Sequence, residues 1–400
     1  MSRILFVVPP LVGHVNPTVP LGLALSARSH EVAWAGLPTM VDRLLPAGAR
    51  FFPVVGALDP EEARRLNEAA KGLRGAAALK FLWEELLVPL ARTTAEEIAD
   101  VVASWSPDLM VVDQQAIGGA VVARRTGTPW ITSATTSAEL TDPLADLPKV
   151  DAWVRRQLVD LQVELGIAPA EAEVGDLRFS EQLVLAFTTE ALAGDDLPLP
   201  ASAGPVAFVG PSIEARPETT TFPWEWLDPE RPLVLVSLGT VNAEIGERFF
   251  GVVVEALGGE DVQVVIVAPP SLVDVPPGVT NVLVCERVPQ LSLLASTDVV
   301  VSHGGHNTVC EALSVGLPLV VAPIRDDQPI VAAQVEAARA GIRVKFARVR
   351  APELRSAVMT ALNCPELRAG AAAIRASFDR AGGARGAADA VEAQLEVLVR

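Results

Sequence analysis

Short apolar runs alternate with longer helix-like segments along most of the chain. In the first half, continuous apolar runs predict strands at 4–8, 31–35, 51–55, 108–112, 129–132 and 182–187. Because these runs do not alternate with polar residues, they are typical of strands that are buried on both faces of a sheet. Helical segments at 17–28, 60–103 and 115–126 separate them, and this βαβ series predicts a parallel, doubly wound sheet.

The pattern stops at 209–232, a stretch with five prolines, and then restarts. New strands are predicted at 233–239, 262–268, 281–285, 298–302, 318–322 and 342–346, and the last segment is helical. The sequence therefore predicts two Rossmann-like α/β domains that face a cleft, at 1–208 and 233–380, with 209–232 as their linker. Residues 381–400 are expected to form a C-terminal helix, and packing against the first domain is left open.

Composition and charge narrow the class of protein. The chain has 400 residues, is 50% hydrophobic and carries a formal net charge of −17. That composition is globular, and the acidity disfavours nucleic acid and anionic membranes as partners. No uncharged apolar run reaches the roughly 18 residues of a membrane span, so stable membrane insertion is not expected. Three scattered cysteines favour a cytoplasmic location, and a homodimer remains open.

The segment "HGGHNTVCEAL" at 303–313 carries the densest chemistry in the sequence. It follows a predicted strand, turns at two glycines and opens a helix near Asn307 and Thr308. Helix N-terminal amides beside glycines favour an anion site for phosphate or diphosphate. The alternative is structural, because Thr308 and Glu311 have the spacing of a capping box. No carboxylate or thiol completes a ligand set with the two histidines, so no metal site is expected.

Two further segments follow strands in the second half. Asp326, Asp327 and Gln328 come after the strand at 318–322, and a carboxylate and an amide together can hydrogen-bond a polyhydroxyl ligand. A solvated turn is the structural alternative. Gly239 and Thr240 close the strand at 233–239 and give a second possible phosphate contact.

Together these motifs resemble the nucleotide-sugar signature of the UDP-glycosyltransferase family, in particular its bacterial macrolide-glycosyltransferase-like branch. The resemblance rests on "VPQL…HGGHNTVCEAL…GLPLVVAP…DDQ" over 288–328, with "GHVNP" near the start and "SLGT" after the linker. It implies an inverting, metal-independent glycosyltransferase of GT-B fold. No resident cofactor is implied; the partners are a UDP- or dTDP-sugar and a hydroxyl of a hydrophobic small molecule. A GT-B nucleotide-sugar epimerase and a non-catalytic accessory protein are the alternatives.

The resemblance also implies roles for individual residues. His303, Asn307 and Thr308 would hold the pyrophosphate, Glu311 the ribose, and Asp327 and Gln328 the sugar. The full implied donor set is Gly239, Thr240, Arg287, Val288, Gln290, His303, Gly305, Asn307, Thr308, Glu311, Asp327 and Gln328. Arg287 is a departure, since many members of the family have a tryptophan there that stacks on the base. A guanidinium can also stack on a base.

In the first half, His14 matches the family's "GHxxP" and is the predicted general base. Asn16 and Pro17 are expected to start the first helix, which places His14 in the preceding loop. Histidine suits this role because its pKa lies near neutral pH. Asp113 ends a predicted strand and would orient the imidazole; the alternative is a cap for the helix that begins near residue 115.

Overall fold

A computed structural model gives the fold, and it describes residues 1–56, 60–70, 72–73, 75–195, 197–213, 220–239 and 246–399. The chain divides into two compact units. Unit 1 comprises Met1–Thr188, Asp196–Arg216 and Ala381–Arg400, and unit 2 comprises Thr189–Asp195 and Pro217–Arg380. Residues 214–219 of the predicted linker lie outside the described part of the chain.

Among its described residues, unit 1 contains one sheet of seven parallel strands in the order β3-β2-β1-β4-β5-β6-β7. The strands are β1 (Arg3–Val7), β2 (Glu31–Gly36), β3 (Arg50–Pro53), β4 (Leu109–Asp113), β5 (Trp130–Ala134), β6 (Val184–Ala186) and β7 (Val206–Phe208). The six strands predicted for this half are confirmed. The sequence analysis missed β7, because three residues give too short an apolar run to register.

The helices of unit 1 follow its strands in the expected alternation. They are α1 (Val12–Val15), α2 (Thr18–Ala27), α3 (Pro38–Val41), α4 (Pro60–Ala70), α5 (Ala76–Phe81), α6 (Val88–Trp105), α7 (Ile117–Thr126), α8 (Pro148–Glu164) and α9 (Pro169–Ala172). A π-helical turn, Leu82–Leu87, joins α5 to α6. The predicted helical stretch 60–103 is interrupted between α4 and α5, where Gly72 and Gly75 adopt positive φ.

Unit 2 contains a sheet of six parallel strands among its described residues, in the order β10-β9-β8-β11-β12-β13. They are β8 (Leu233–Ser237), β9 (Gln263–Val267), β10 (Val282–Cys285), β11 (Val299–Ser302), β12 (Leu319–Val321) and β13 (Gly341–Arg343). The helices are α10 (Glu190–Ala193), α11 (Glu247–Leu257), α12 (Gln290–Leu294), α13 (His306–Ser314), α14 (Gln328–Ala337), α15 (Ala351–Asn363) and α16 (Pro365–Ala381). All six strands predicted for this half are confirmed.

Each sheet is buried on both faces, as the continuous apolar runs predict. In β1, Leu5 and Val7 pack into one core cluster, while Ile4 and Phe6 pack into the cluster on the opposite face. Because successive side chains of a strand point to opposite faces, every position of such a strand has to be apolar. The carboxyl ends of the strands are the places where polar side chains can appear.

The last helix, α17 (Gly383–Val399), belongs to unit 1 and completes its core. Ala387, Ala388 and Val391 are buried in the same cluster as α2. Arg28 pairs with Glu392 at 2.6 Å, and His30 Nε2 lies 3.1 Å from Glu392 Oε1. His30, in the turn between α2 and β2, therefore contacts α17, in keeping with a structural role.

A buried ion pair braces the segment before β6. The guanidinium of Arg178 lies 2.7 Å from Asp176 and 3.3 Å from Glu139, with side chains 11% and 1% exposed for Arg178 and Asp176. Burial alone would raise the pKa of Asp176, but the hydrogen bonds and charge of Arg178 hold it below its usual value. The pair therefore stabilises the ionised carboxylate.

We expect Asp176→Asn to destabilise the fold by about 3 kcal/mol at pH 7, because it removes the counter-charge of a buried guanidinium. Urea unfolding followed by circular dichroism measures the change. Since the folded pKa of Asp176 is depressed, its contribution is present above the unfolded value and is lost as the pH falls through the folded one. The difference between variant and wild type should therefore shrink in acid.

The control is Glu96→Gln, which removes the surface ion pair between Glu96 and Arg125. The Glu96 side chain is 74% exposed, so the urea unfolding midpoint of this variant should stay at the wild-type value. An equal loss of unfolding free energy in the two variants would show that the buried pair contributes no more to stability than the surface pair.

Candidate active site

His14 and Asp113 meet at the carboxyl edge of the unit 1 sheet. α1 follows β1, and Asp113 is the last residue of the neighbouring strand β4. His14 Nδ1 lies 2.9 Å from Asp113 Oδ1 and 3.0 Å from Oδ2. The Asp113 side chain is fully buried, whereas that of His14 is 15% exposed. The two residues that the sequence analysis paired are thus in direct contact.

The backbone around His14 differs from the prediction. His14 lies in the one-turn helix α1 and not in a loop, and its N–H donates to the Leu11 carbonyl at 2.9 Å. α2 begins at Thr18 with Pro17 as its N-cap, so the predicted N-cap at Asn16 is wrong. Asn16 instead closes α1, because its N–H donates to the Val12 carbonyl. This extra turn fixes the backbone that carries the imidazole.

Asp113 also makes a local turn. Its Oδ1 accepts from the N–H of Gln115 at 2.9 Å, and α7 begins two residues later, at Ile117, without a side-chain cap. Asp113 therefore shapes the turn before α7 but does not cap the helix, so the structural alternative is wrong in that form, and the turn coexists with the contact to His14. Since an ionised carboxylate only accepts hydrogen bonds, the proton of a neutral His14 ring belongs on Nδ1, which makes Nε2 the basic nitrogen.

Thr135 is a third member of this group that the sequence analysis did not single out. Its Oγ1 lies 2.8 Å from His14 Nδ1 and 3.0 Å from Asp113 Oδ2, and the residue is 3% exposed. The signal was available in the sheet pattern. Asp113 pairs with Ser133, and the next residue on the same face of that strand is 135.

In unit 2, α13 opens as an anion-binding helix would. It begins at His306, and its N-cap is Gly305, which supplies no side-chain cap. Thr308 is the third residue of the helix, so the capping box with Glu311 does not form. Glu311 is buried and accepts instead from the Gln290 amide. The N-cap residue of α13 thus supplies no capping side chain, and Asn307 and Thr308 in its first turn are half-buried.

The imidazole of His303 lies against two glycines. A Cβ on Gly305 would lie 2.5 Å from His303 Nε2, and a Cβ on Gly239 would lie 2.9 Å from Cε1. Gly239 also has φ +71°, which an L side chain rarely adopts. The His303 ring thus leaves no room for a side chain at either glycine. Thr240, the next residue of that motif, lies outside the described residues.

Burial lowers the pKa of His303 to about 4, although the negative charge of Asp327 and a hydrogen bond with the Ser237 backbone act in the opposite direction. The ring is therefore neutral near pH 7 in the ligand-free protein. A neutral imidazole has one N–H, and the hydrogen bond with the Ser237 backbone uses it. Bringing a diphosphate close would raise the pKa of the ring, and the second nitrogen could then also donate.

The remaining predicted donor residues fall into two places. Arg287 is exposed and Val288 is half-buried against the unit 2 core, both just after β10. Asp327 is the N-cap of α14, and Gln328 is buried at the first position of that helix. Gln328 Oε1 accepts from the N–H groups of Ile324 and Arg325, at 2.9 and 3.1 Å. Its carbonyl thus braces the loop, and the amide nitrogen is the part suited to a sugar hydroxyl.

No group of three or more His, Cys, Asp or Glu side chains is arranged to hold a metal ion in the described part of the chain. No described helix combines the length and the apolar character needed to cross a bilayer.

Comparison with known proteins places this geometry in a family. Residues 196–373 match the family model described as UDP-glucoronosyl and UDP-glucosyl transferase. The 4'-demethylrebeccamycin synthase of Lentzea aerocolonigenes is 30% identical over 406 residues, which cover 94% of this chain and 96% of that protein. The glycotransferase of kitacinnamycin superimposes with a TM-score of 0.77 at 24% identity, over 98% of this chain and 99% of that one.

The glycosyltransferase VinC, solved in complex with dTDP, superimposes with a TM-score of 0.73 at 20% identity, over 98% and 99% of the two chains. The two solved structures confirm the predicted class of two Rossmann-like, parallel-sheet α/β domains. The comparisons support glycosyl transfer and neither the epimerase nor the accessory alternative. The chain therefore belongs to the UDP-glucoronosyl and UDP-glucosyl transferase family and is a glycosyltransferase.

Proposed function

We propose that this enzyme moves a sugar from a UDP- or dTDP-sugar to a hydroxyl group of a hydrophobic, natural-product type small molecule. The reaction is a single displacement that inverts the anomeric carbon and needs no metal. Unit 1 binds the acceptor and unit 2 binds the donor. The observation that carries the proposal is the contact between His14 and the fully buried carboxylate of Asp113.

On the acceptor side, His14 is the general base. Its Nε2 takes the proton of the acceptor hydroxyl as the oxygen attacks the anomeric carbon. Asp113 holds the proton on Nδ1 and stabilises the imidazolium that forms, as the acid of a catalytic triad does. General base catalysis of this kind contributes about 10²–10⁴-fold in rate.

On the donor side, the first turn of α13 receives the departing diphosphate. Its amides carry about half a positive charge, and the Thr308 hydroxyl adds a hydrogen-bond donor. The diphosphate raises the pKa of His303, and the protonated ring donates to it from its second nitrogen. Glu311, held by Gln290, accepts from the ribose hydroxyls. Asp327 and the amide nitrogen of Gln328 bind the sugar, while Arg287 and Val288 contact the base.

The nucleotide and the acceptor are proposed from the relatives. The family description names UDP, whereas the VinC structure holds dTDP, so both nucleotides are candidates for this chain. The name of the 4'-demethylrebeccamycin synthase and the structure for kitacinnamycin support a natural-product type acceptor. Inversion follows from one displacement with His14 as base, and the proton coupling constant of the new anomeric centre measures it.

We expect His14→Gln to lower the transfer rate by about 10²-fold or more, because glutamine cannot take the acceptor proton. The dissociation constant of UDP or dTDP should stay at the wild-type value, since the donor residues lie in unit 2. Product formation from a panel of nucleotide sugars and isothermal calorimetry measure the two quantities.

The matched control is His30→Gln, because His30 contacts Glu392 and has no part in the proposed chemistry. It should transfer at the wild-type rate. Transfer by His14→Gln at the rate of His30→Gln would contradict the assignment of the base.

For the donor site, we expect Gly305→Ala to weaken binding of UDP and dTDP about tenfold, the scale of one lost hydrogen bond to a charged ligand. The added Cβ would lie 2.5 Å from His303 Nε2, so the imidazole has to leave its place. Calorimetry with each nucleotide alone gives the affinity without turnover.

Gly251→Ala is the control, because a Cβ at this exposed position in α11 meets nothing within 4 Å. Its affinity should equal that of the wild type. Wild-type affinity in Gly305→Ala as well would remove His303 from the diphosphate site.

We also expect transfer to continue unchanged in excess EDTA, because helix amides and uncharged donors take the place that a divalent cation holds in other transferases. The measurement is the initial rate after dialysis against EDTA and again after Mg²⁺ or Mn²⁺ is added back. A rate that falls on chelation and returns with either metal would contradict metal independence.

A further inference from the structure

We propose that Thr135 is a positioning residue for the reaction. Its hydroxyl donates a hydrogen bond to the carboxylate of Asp113 and holds that group in place. This bond weakens the stabilisation that the carboxylate gives to a protonated His14, and in this way Thr135 influences the protonation state of His14. The inference rests on the proposed role of His14 as base. The titration midpoint of the His14 imidazole can nevertheless be measured without turnover.

The geometry is a closed triangle of three side chains. Thr135 Oγ1 lies 2.8 Å from His14 Nδ1 and 3.0 Å from Asp113 Oδ2, and His14 Nδ1 lies 2.9 Å from Asp113 Oδ1. Thr135 is 3% exposed and the Asp113 side chain is fully buried. In so buried a site, a hydrogen bond to a charged group is stronger than one between neutral groups.

A count of protons assigns the donors. The carboxylate can only accept, and it receives the N–H of Gln115 at Oδ1. The Nδ1 proton of His14 also points to this carboxylate. The single hydroxyl proton of Thr135 is then given to Asp113 Oδ2, which leaves Thr135 Oγ1 as a further acceptor beside Nδ1. Both Asp113 oxygens are thereby fixed in one rotamer that faces the imidazole.

The fold explains why this position carries a threonine. Residue 135 directly follows β5 and lies on the same face as Ser133, the register partner of Asp113. A β-branched side chain has few χ1 choices, so its hydroxyl is held in place at low entropic cost. Serine offers the same hydroxyl with more rotamer freedom, and valine offers the same shape with no hydroxyl.

The consequence concerns the basicity of His14. The carboxylate of Asp113 contacts the imidazole, and its negative charge favours the imidazolium. A carboxylate that already accepts hydrogen bonds from Thr135 and Gln115 stabilises the imidazolium of His14 less strongly. The ring therefore stays unprotonated, and able to act as a base, to lower pH than it would beside an unshared carboxylate.

The test compares Thr135→Val, Thr135→Ser and Thr188→Val. Thr188 is the matched control, because it is 1% exposed, follows β6 in the same unit and has a hydroxyl with no hydrogen-bond partner among the described residues. We expect Thr135→Val to lower kcat/KM about tenfold at pH 7 and to move the acidic limb of the pH profile up by about 0.5 unit. Thr135→Ser should restore most of the rate, and Thr188→Val should behave as wild type.

The second readout is nitrogen-15 NMR of histidine-labelled protein, which has only four histidines to assign. The signal absent from His14→Gln belongs to His14, and its titration midpoint should rise by about 0.5 unit in Thr135→Val alone. An unchanged midpoint, or a midpoint in Thr135→Ser that rises as much as in Thr135→Val, would overturn the inference. If His14→Gln retained full transfer, the base assignment would fail, and the midpoint alone would still decide the role of Thr135.

Discussion

The proposed catalytic edge of unit 1 depends on one buried charge. The carboxylate of Asp113 is fully shielded from water at the end of a central strand, and such a group is tolerated only when its oxygens are paired and hydrogen-bonded. A backbone amide, a hydroxyl and an imidazole meet that requirement from three different segments of the chain. The same contacts that make the charge tolerable also aim the imidazole, so local stability and chemistry are set by one arrangement.

Unit 2 solves a different electrostatic problem with a different device. In the proposed function, a chain with a formal charge of −17 has to hold a diphosphate. The oriented amides at the N-terminus of α13, which has a glycine N-cap, would supply directed partial charges at short range. Such dipoles act over a few ångströms, where the repulsion from distant carboxylates is screened.

The sequence was most informative where one physical rule decides the outcome. Strands buried on both faces must be apolar at every position, and twelve such runs predict strands that the structure contains. His14 and Asp113 were found from their match to family motifs together with their positions after predicted strands, and the helix predicted near Asn307 begins at His306. The start of α2 was misplaced by one residue because Asn16 closes the one-turn helix before it. Thr135 was missed because its partners are distant in sequence, and only the register of β4 and β5 brings them together.

The return of α17 to unit 1 affects how the protein is made. Unit 1 takes its first strand from the N-terminus and a core helix from the last residues, with nearly all of unit 2 encoded between them. During synthesis, all segments of unit 2 leave the ribosome before the last helix of unit 1 does. Unit 2 can therefore complete its fold first, although domains usually fold in order from the N-terminus. Any chimaera that exchanges the acceptor half between enzymes must therefore carry the C-terminal helix with it.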